Sequence, residues 1–117
     1  MRDFKQKFIS AGNDYDALSE RTGGDEELIA QLMQMFLDDD SWERMCSSIE
    51  AGECEKAFRA AHSLKGSSGM LGLSGLFAEM KVISDKLRVG ELDAAKAVFD
   101  EVRSEYETTV ELIRDFV

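Results

Sequence analysis

The sequence predicts an all-α protein, an antiparallel up-down-up-down four-helix bundle with one or two short N-terminal helices covering one end. Three observations carry that prediction. There is no proline in 117 residues, so no helix is broken by a missing amide and a ring clash. Strand-like alternation of Val, Ile, Thr and Tyr is missing, while apolar residues recur at steps of three and four. Glycines fall at intervals, at Gly23–Gly24, Gly52, Gly66 to Gly75 and Gly90, and most of these mark helix ends.

The elements follow in order. Phe4, Phe8 and Ile9 make a short amphipathic helix before Gly12–Asn13–Asp14, and a second short piece covers Tyr15 to Arg21. Asp25 reads as an N-cap or first-turn acid of a long helix whose apolar stripe is Leu28, Leu32, Met35, Trp42, Cys46 and Ile49. The stripe lapses at Asp39, within Asp38–Asp39–Asp40, which predicts a bend or an exposed segment there. Ala51–Gly52 closes this helix, and the next runs from about Glu53 to Leu71. After Gly72, a further helix sets Leu73, Leu76, Met80, Ile83 and Leu87 on one face as far as Val89–Gly90. The last begins near Glu91 and carries Ala95, Val98, Val102, Tyr106, Thr109, Ile113 and Phe116 at heptad spacing. Such a rod reaches about 40 Å at 1.5 Å per residue. Four long amphipathic helices with short connections form a bundle. The expectation is one domain over 1–117, with its core bundle over about 25–117.

Charge narrows the partners. A formal net charge of −10 argues against nucleic acid and against an anionic membrane surface, both of which need a basic footprint. No apolar run approaches the roughly 20 residues that span a bilayer, and the N-terminus lacks the apolar core of a signal peptide, so the expected location is cytoplasmic. Cys46 and Cys54 read as reduced thiols, and no metal site is expected.

The helix over 53–71 holds the one histidine of the chain, in the stretch AHSLKGSSGMLG. At 100° per residue, Ala57, Ala60, Ala61, Leu64, Ser68 and Leu71 cluster on one side, while Glu55, Phe58, Arg59, His62, Lys65, Gly66 and Gly69 lie opposite. His62 therefore points outward. Lys65 and Gly66 lie one turn beyond it on the same face. A glycine inside a helix costs roughly 1 kcal/mol against alanine, and clearance beside an imidazole is a reason to bear that cost. Lys65 offers a positive point charge to an anion carried by His62. A nucleophile, an open approach and a cation together make a phosphorylatable site. Taken on spacing alone, the same residues also describe an ordinary solvated helix face.

The run His62-Ser63-Leu64-Lys65-Gly66-Ser67-Ser68, followed by Leu71-Gly72, resembles the signature of histidine phosphotransfer (HPt) domains. Ala60–Ala61, the GGDEEL run from Gly23 to Leu28 and the AGE break at Ala51 to Glu53 are similar to that family too, and the similarity extends from about Tyr15 to the C-terminus. The resemblance implies a phosphorelay intermediate. His62 would accept a phosphoryl group from an aspartyl phosphate on a receiver domain and pass it to another receiver's aspartate. Lys65 would face the phosphate and Gly66 would give clearance. The implied partners are response-regulator receiver domains, a hybrid sensor kinase, or both, met by a monomer. No cofactor belongs to the chain itself, Mg²⁺ being held by the receiver, and there is no Gly-rich ATP loop of the P-loop kind.

An antiparallel neighbour joined near Gly72 brings the region of Ser84 level with His62, with Phe77, Lys81, Ser84 and Arg88 on the adjoining flank. Ser84, Arg88 and Arg59 are candidate supporting residues, and Lys81 reads as a solvated charge. Phe58 and Gly69 are candidate docking residues, with Trp42 and Met45 at a similar height on the preceding helix. Two other readings stand beside this one. One is a helical module that docks on and inhibits a receiver or kinase; the other is the phosphoacceptor domain of a larger histidine kinase. A start at Met and an end without a linker lean towards a free-standing protein. A metal or haem bundle is disfavoured, since one outward histidine cannot supply facing ligands.

Overall fold

The computed structural model describes residues 2–117, in seven helices with no strand among the described residues. They are α1 (Arg2–Ser10), α2 (Tyr15–Thr22), α3 (Glu26–Asp38), α4 (Ser41–Glu50), α5 (Cys54–Met70), α6 (Ser74–Arg88) and α7 (Leu92–Phe116). The fold is the expected all-α bundle, 42 × 22 × 22 Å, in which α4, α5, α6 and α7 pack in sequence around the core.

The bend or exposed segment expected at Asp39 is a complete break, so the one long helix expected from Asp25 to Ala51–Gly52 is two, α3 and α4. Asp39 leaves the helix with extended backbone (φ −71°, ψ 132°), and its carboxylate accepts from the Ser41 amide at 2.6 Å. A cluster of short acidic side chains competes for backbone donors in this way and ends a helix without proline or glycine. The break resets the helical phase, which overturns part of the predicted stripe. The buried residues of α3 are Ile29, Met33 and Phe36, one position on from the expected Leu28, Leu32 and Met35. Leu28 and Met35 are exposed, Met35 to 66%. Asp25 caps α3 as expected, accepting from the Glu27 and Leu28 amides.

In α4 the buried residues are Ser41, Met45 and Ile49, while the expected Trp42 and Cys46 are only half-buried; in α6 and α7 the expected faces hold. Leu73, Leu76, Met80, Ile83 and Leu87 are all buried, as are Ala95, Val102, Thr109 and Ile113 on α7. Ile9 is half-exposed, whereas Phe4 and Phe8 are buried, Phe4 stacking on Phe116 at 4.1 Å. Thus α1 covers the C-terminal end of α7. Gly72 fixes the other half of this cap. Its φ of 71° turns the chain after α5, its carbonyl accepts from the Asp14 amide at 2.8 Å, and a Cβ there would collide with the Asp14 carbonyl. Only glycine fits this approach of α2 to the α5–α6 turn.

Candidate functional site

Helix α5 divides as its sequence suggests. Ala57, Ala60, Ala61, Leu64, Ser68 and, just past its end, Leu71 are buried. The Ser68 hydroxyl, inside the bundle, donates to the Leu64 carbonyl at 2.7 Å, so a small polar residue is buried with its bond made. On the other side His62 is exposed, with Lys65 half-buried three residues on. Gly66 is exposed, and a Cβ built on it would meet nothing within 4 Å. Its missing side chain serves no contact inside this chain, which leaves the surface beside His62 open to an approaching molecule. Among the described residues no carboxylate pairs with Lys65 at ion-pair distance.

Two contacts set α5 against α6. The Phe77 ring lies over Gly69, where a Cβ would sit 3.2 Å from two ring carbons, and the Cys54 thiol donates to the Leu87 carbonyl at 3.4 Å. Indices of facing residues therefore add to between 141 and 146, which puts residues 79 to 84 level with His62. The face of α5 bearing Phe58, His62, Lys65 and Gly69 thus forms one wall of a shallow groove. Phe77, Lys81 and Arg88 rise on the other.

Several expected residues fall differently. Ser84 is level with His62 but only 1% exposed, so its hydroxyl belongs to the core and does not present itself to a group on the imidazole. Arg88 lies more than a turn beyond His62 along α6 and rests 3.8 Å from Asp85. Arg59 is exposed and lines a groove of ≈ 760 Å³ between α4 and α5 that does not include His62. Phe58 is not a free aromatic: it is half-buried against the core, its ring 5.6 Å from the His62 ring. Gly69 gives clearance to Phe77 within the chain, a contact that the eight-residue spacing about the Gly72 turn could have signalled. Met45 is fully buried and is no docking residue. Trp42 is stacked 4.2 Å from Tyr106 and 5.7 Å from Phe99, in the seam between α4 and α7.

Neither thiol is set up as a competing nucleophile. Burial pushes the Cys46 thiol up, against the opposing pull of Arg103, so it is less often a thiolate. Cys54 keeps its bond to α6. Among the described residues no group of three or more His, Cys, Asp or Glu is placed to hold a metal ion. His62 stands on an open surface, an arrangement suited to a macromolecular partner whose own pocket closes over it.

Comparison with known proteins identifies the family. The family model for the Hpt domain matches residues 27–112, and the chain belongs to that family, whose members are phosphotransfer intermediates of two-component relays. A Dictyostelium discoideum protein described as "Phosphorelay intermediate protein rdeA" is 24% identical over 105 residues. That alignment takes in 88% of this chain and 41% of the relative, so the chain spans about two fifths of its length. No solved structure matches. Among the described residues no helix is long and apolar enough to cross a membrane.

Proposed function

We propose that this protein is a phosphocarrier: His62 takes a phosphoryl group from the aspartyl phosphate of a receiver domain and yields it to a second receiver's aspartate. The supporting observation is His62 exposed on α5 with Lys65 one turn on and open space at Gly66. In the forward step an imidazole nitrogen lone pair attacks phosphorus. The acyl-phosphate P–O bond breaks with its electrons going to the aspartate carboxylate, and the other ring nitrogen releases its proton. The return step reverses these bonds. The receiver supplies Mg²⁺ and the acidic pocket, and this chain supplies position and positive charge. No ATP site is required of it, and the whole 1–117 unit acts as one domain. The relative named as a phosphorelay intermediate supports the same reading.

The test mixes this protein with several receiver domains charged by a small phosphodonor and Mg²⁺, and follows intact mass. The expected adduct is labile to acid, stable to base and absent in His62→Gln. Binding to a receiver without transfer would instead make the protein a docking inhibitor. Labelling only from ATP and a kinase catalytic domain would make it the phosphoacceptor part of a larger kinase.

A further inference from the structure

We propose that Lys81 is a second phosphate-binding cation, closing with Lys65 around the phosphoryl group on His62, and that Asp85 holds it in reserve while His62 is bare. The inference rests on the phosphocarrier reading above.

Position comes first. Lys81 lies one turn after Phe77, so it shares the flank of α6 that covers Gly69. The register of α5 against α6 puts residues 79 to 84 level with His62 and 76 to 81 level with Lys65. Lys81 falls in both ranges. Its ammonium ends a flexible four-carbon stem rising from the wall opposite His62, whereas Lys65 rises from the wall that carries the imidazole. The other members of that flank serve less well. Ser84 is buried, and Arg88 is level with residues 53 to 58, towards the far end of α5.

Charge supplies the second argument. A phosphohistidine adds nearly two negative charges to a chain that already carries −10, so cations close to it matter more than they would on a basic protein. The charged side chains bordering this groove are Glu55 and Lys65 from α5, and Lys81, Asp85 and Arg88 from α6. Asp85 lies 3.7 Å from Lys81 and 3.8 Å from Arg88, with all three side chains about half or more exposed. Pairs this long and this wet hold weakly. Asp85 sits one turn on from Lys81 and farther out from the α5 wall, so its pull draws the ammonium away from His62. A phosphoryl group on His62 offers a stronger, doubly charged partner and turns the lysine inward. The unphosphorylated site thus keeps its second cation neutralised and nearby.

The experiment loads the full chain with phosphoramidate, which phosphorylates histidine directly. An imidazole nitrogen attacks phosphorus, the P–N bond breaks and ammonia leaves. Phosphorus-31 NMR then follows the titration of the phosphoryl group, and a charged receiver gives the equilibrium phosphorylated fraction. Lys81→Gln should raise the phosphoryl pKa by roughly 0.3–0.5 unit, since a cation near the dianion favours its deprotonated form. It should lower the equilibrium phosphorylated fraction relative to receiver about three- to tenfold, in the range expected for loss of one charge-assisted contact. Lys81→Arg should restore both, which a merely structural role for the stem would not require of the titration. Asp85→Asn should shift both the other way, and the double variant should match Lys81→Gln alone. If Lys81→Gln loads and titrates like the parent, the inference fails while the phosphocarrier reading stands. An effect of Asp85→Asn that persists without Lys81 overturns the reserve role. A parent chain that takes phosphoryl from neither phosphoramidate nor any receiver overturns both.

Discussion

On one side of α6, facing α5, Phe77, Lys81 and Arg88 stand opposite Phe58, His62, Lys65 and Gly69; on the other, facing α7, Gly75 and Glu79 stand opposite Glu105. The first groove gathers cations around a nucleophile. The second brings two carboxylates together: burial first, and then the charge of Glu79, raise the Glu105 pKa above its ordinary value. Under the proposed function, a phosphoryl dianion is attracted to the first and repelled by the second. The two seams also use glycine differently. At Gly75 the absent Cβ makes room for the Glu105 carboxylate, so the glycine serves packing, whereas at Gly66 nothing in the chain fills the space. One helix therefore separates an open surface from a seam filled by the chain's own side chains.

The largest expected effect lies in the core behind the first groove. Leu64→Ala, at a site only 2% exposed, should lose about 2–5 kcal/mol of unfolding free energy in urea titrations while leaving the histidine chemistry of the folded fraction unchanged. Next, Gly66→Ala should move stability and transfer in opposite directions. The helix should gain up to about 1 kcal/mol, because the new methyl meets nothing in the chain. Transfer from a receiver should slow about tenfold or more, because that methyl occupies the approach to His62. A variant equally stable and equally fast would place the docking face elsewhere.

The smallest effect belongs to the second groove. With the folded Glu105 pKa raised above its unfolded value, the native state binds more protons between those two values, so stability falls as pH rises through that window. The penalty is complete above the folded pKa and vanishes below the unfolded one. Glu105→Gln should therefore raise Tm slightly at pH 7 and leave it nearly unchanged near pH 4. The rise is small because the half-buried carboxylate is only partly withdrawn from water. An equal shift at both pH values would mean that packing, not charge, governs this seam.

Legibility varied between helices for identifiable reasons. α5, α6 and α7 each carry one apolar stripe bounded by glycine or by a turn, so periodicity alone names their buried residues. In α3, Leu28, Leu32 and Met35 compete with Ile29, Met33 and Phe36, two stripes one residue apart, and periodicity does not choose between them. Packing against the rest of the bundle decides it, with Phe36 facing α7 at 6.3 Å from the Tyr106 ring. The site shows the same split. His62, Lys65 and Gly66 are legible because outward placement follows from spacing within one helix. The height of Ser84 is legible because it follows from turn length, whereas its burial depends on how α6 rolls against α5.

By itself, then, the sequence determined most of the helices, the inner and outer faces of α5 and the outward placement of His62, since all of these depend on periods and caps that act within a few turns. The tertiary structure decided which stripe of α3 is buried, that Gly69 shelters Phe77, and that Lys81 stands level with His62. Those depend on the rotation and register of one helix against another, set by side chains far apart in the chain.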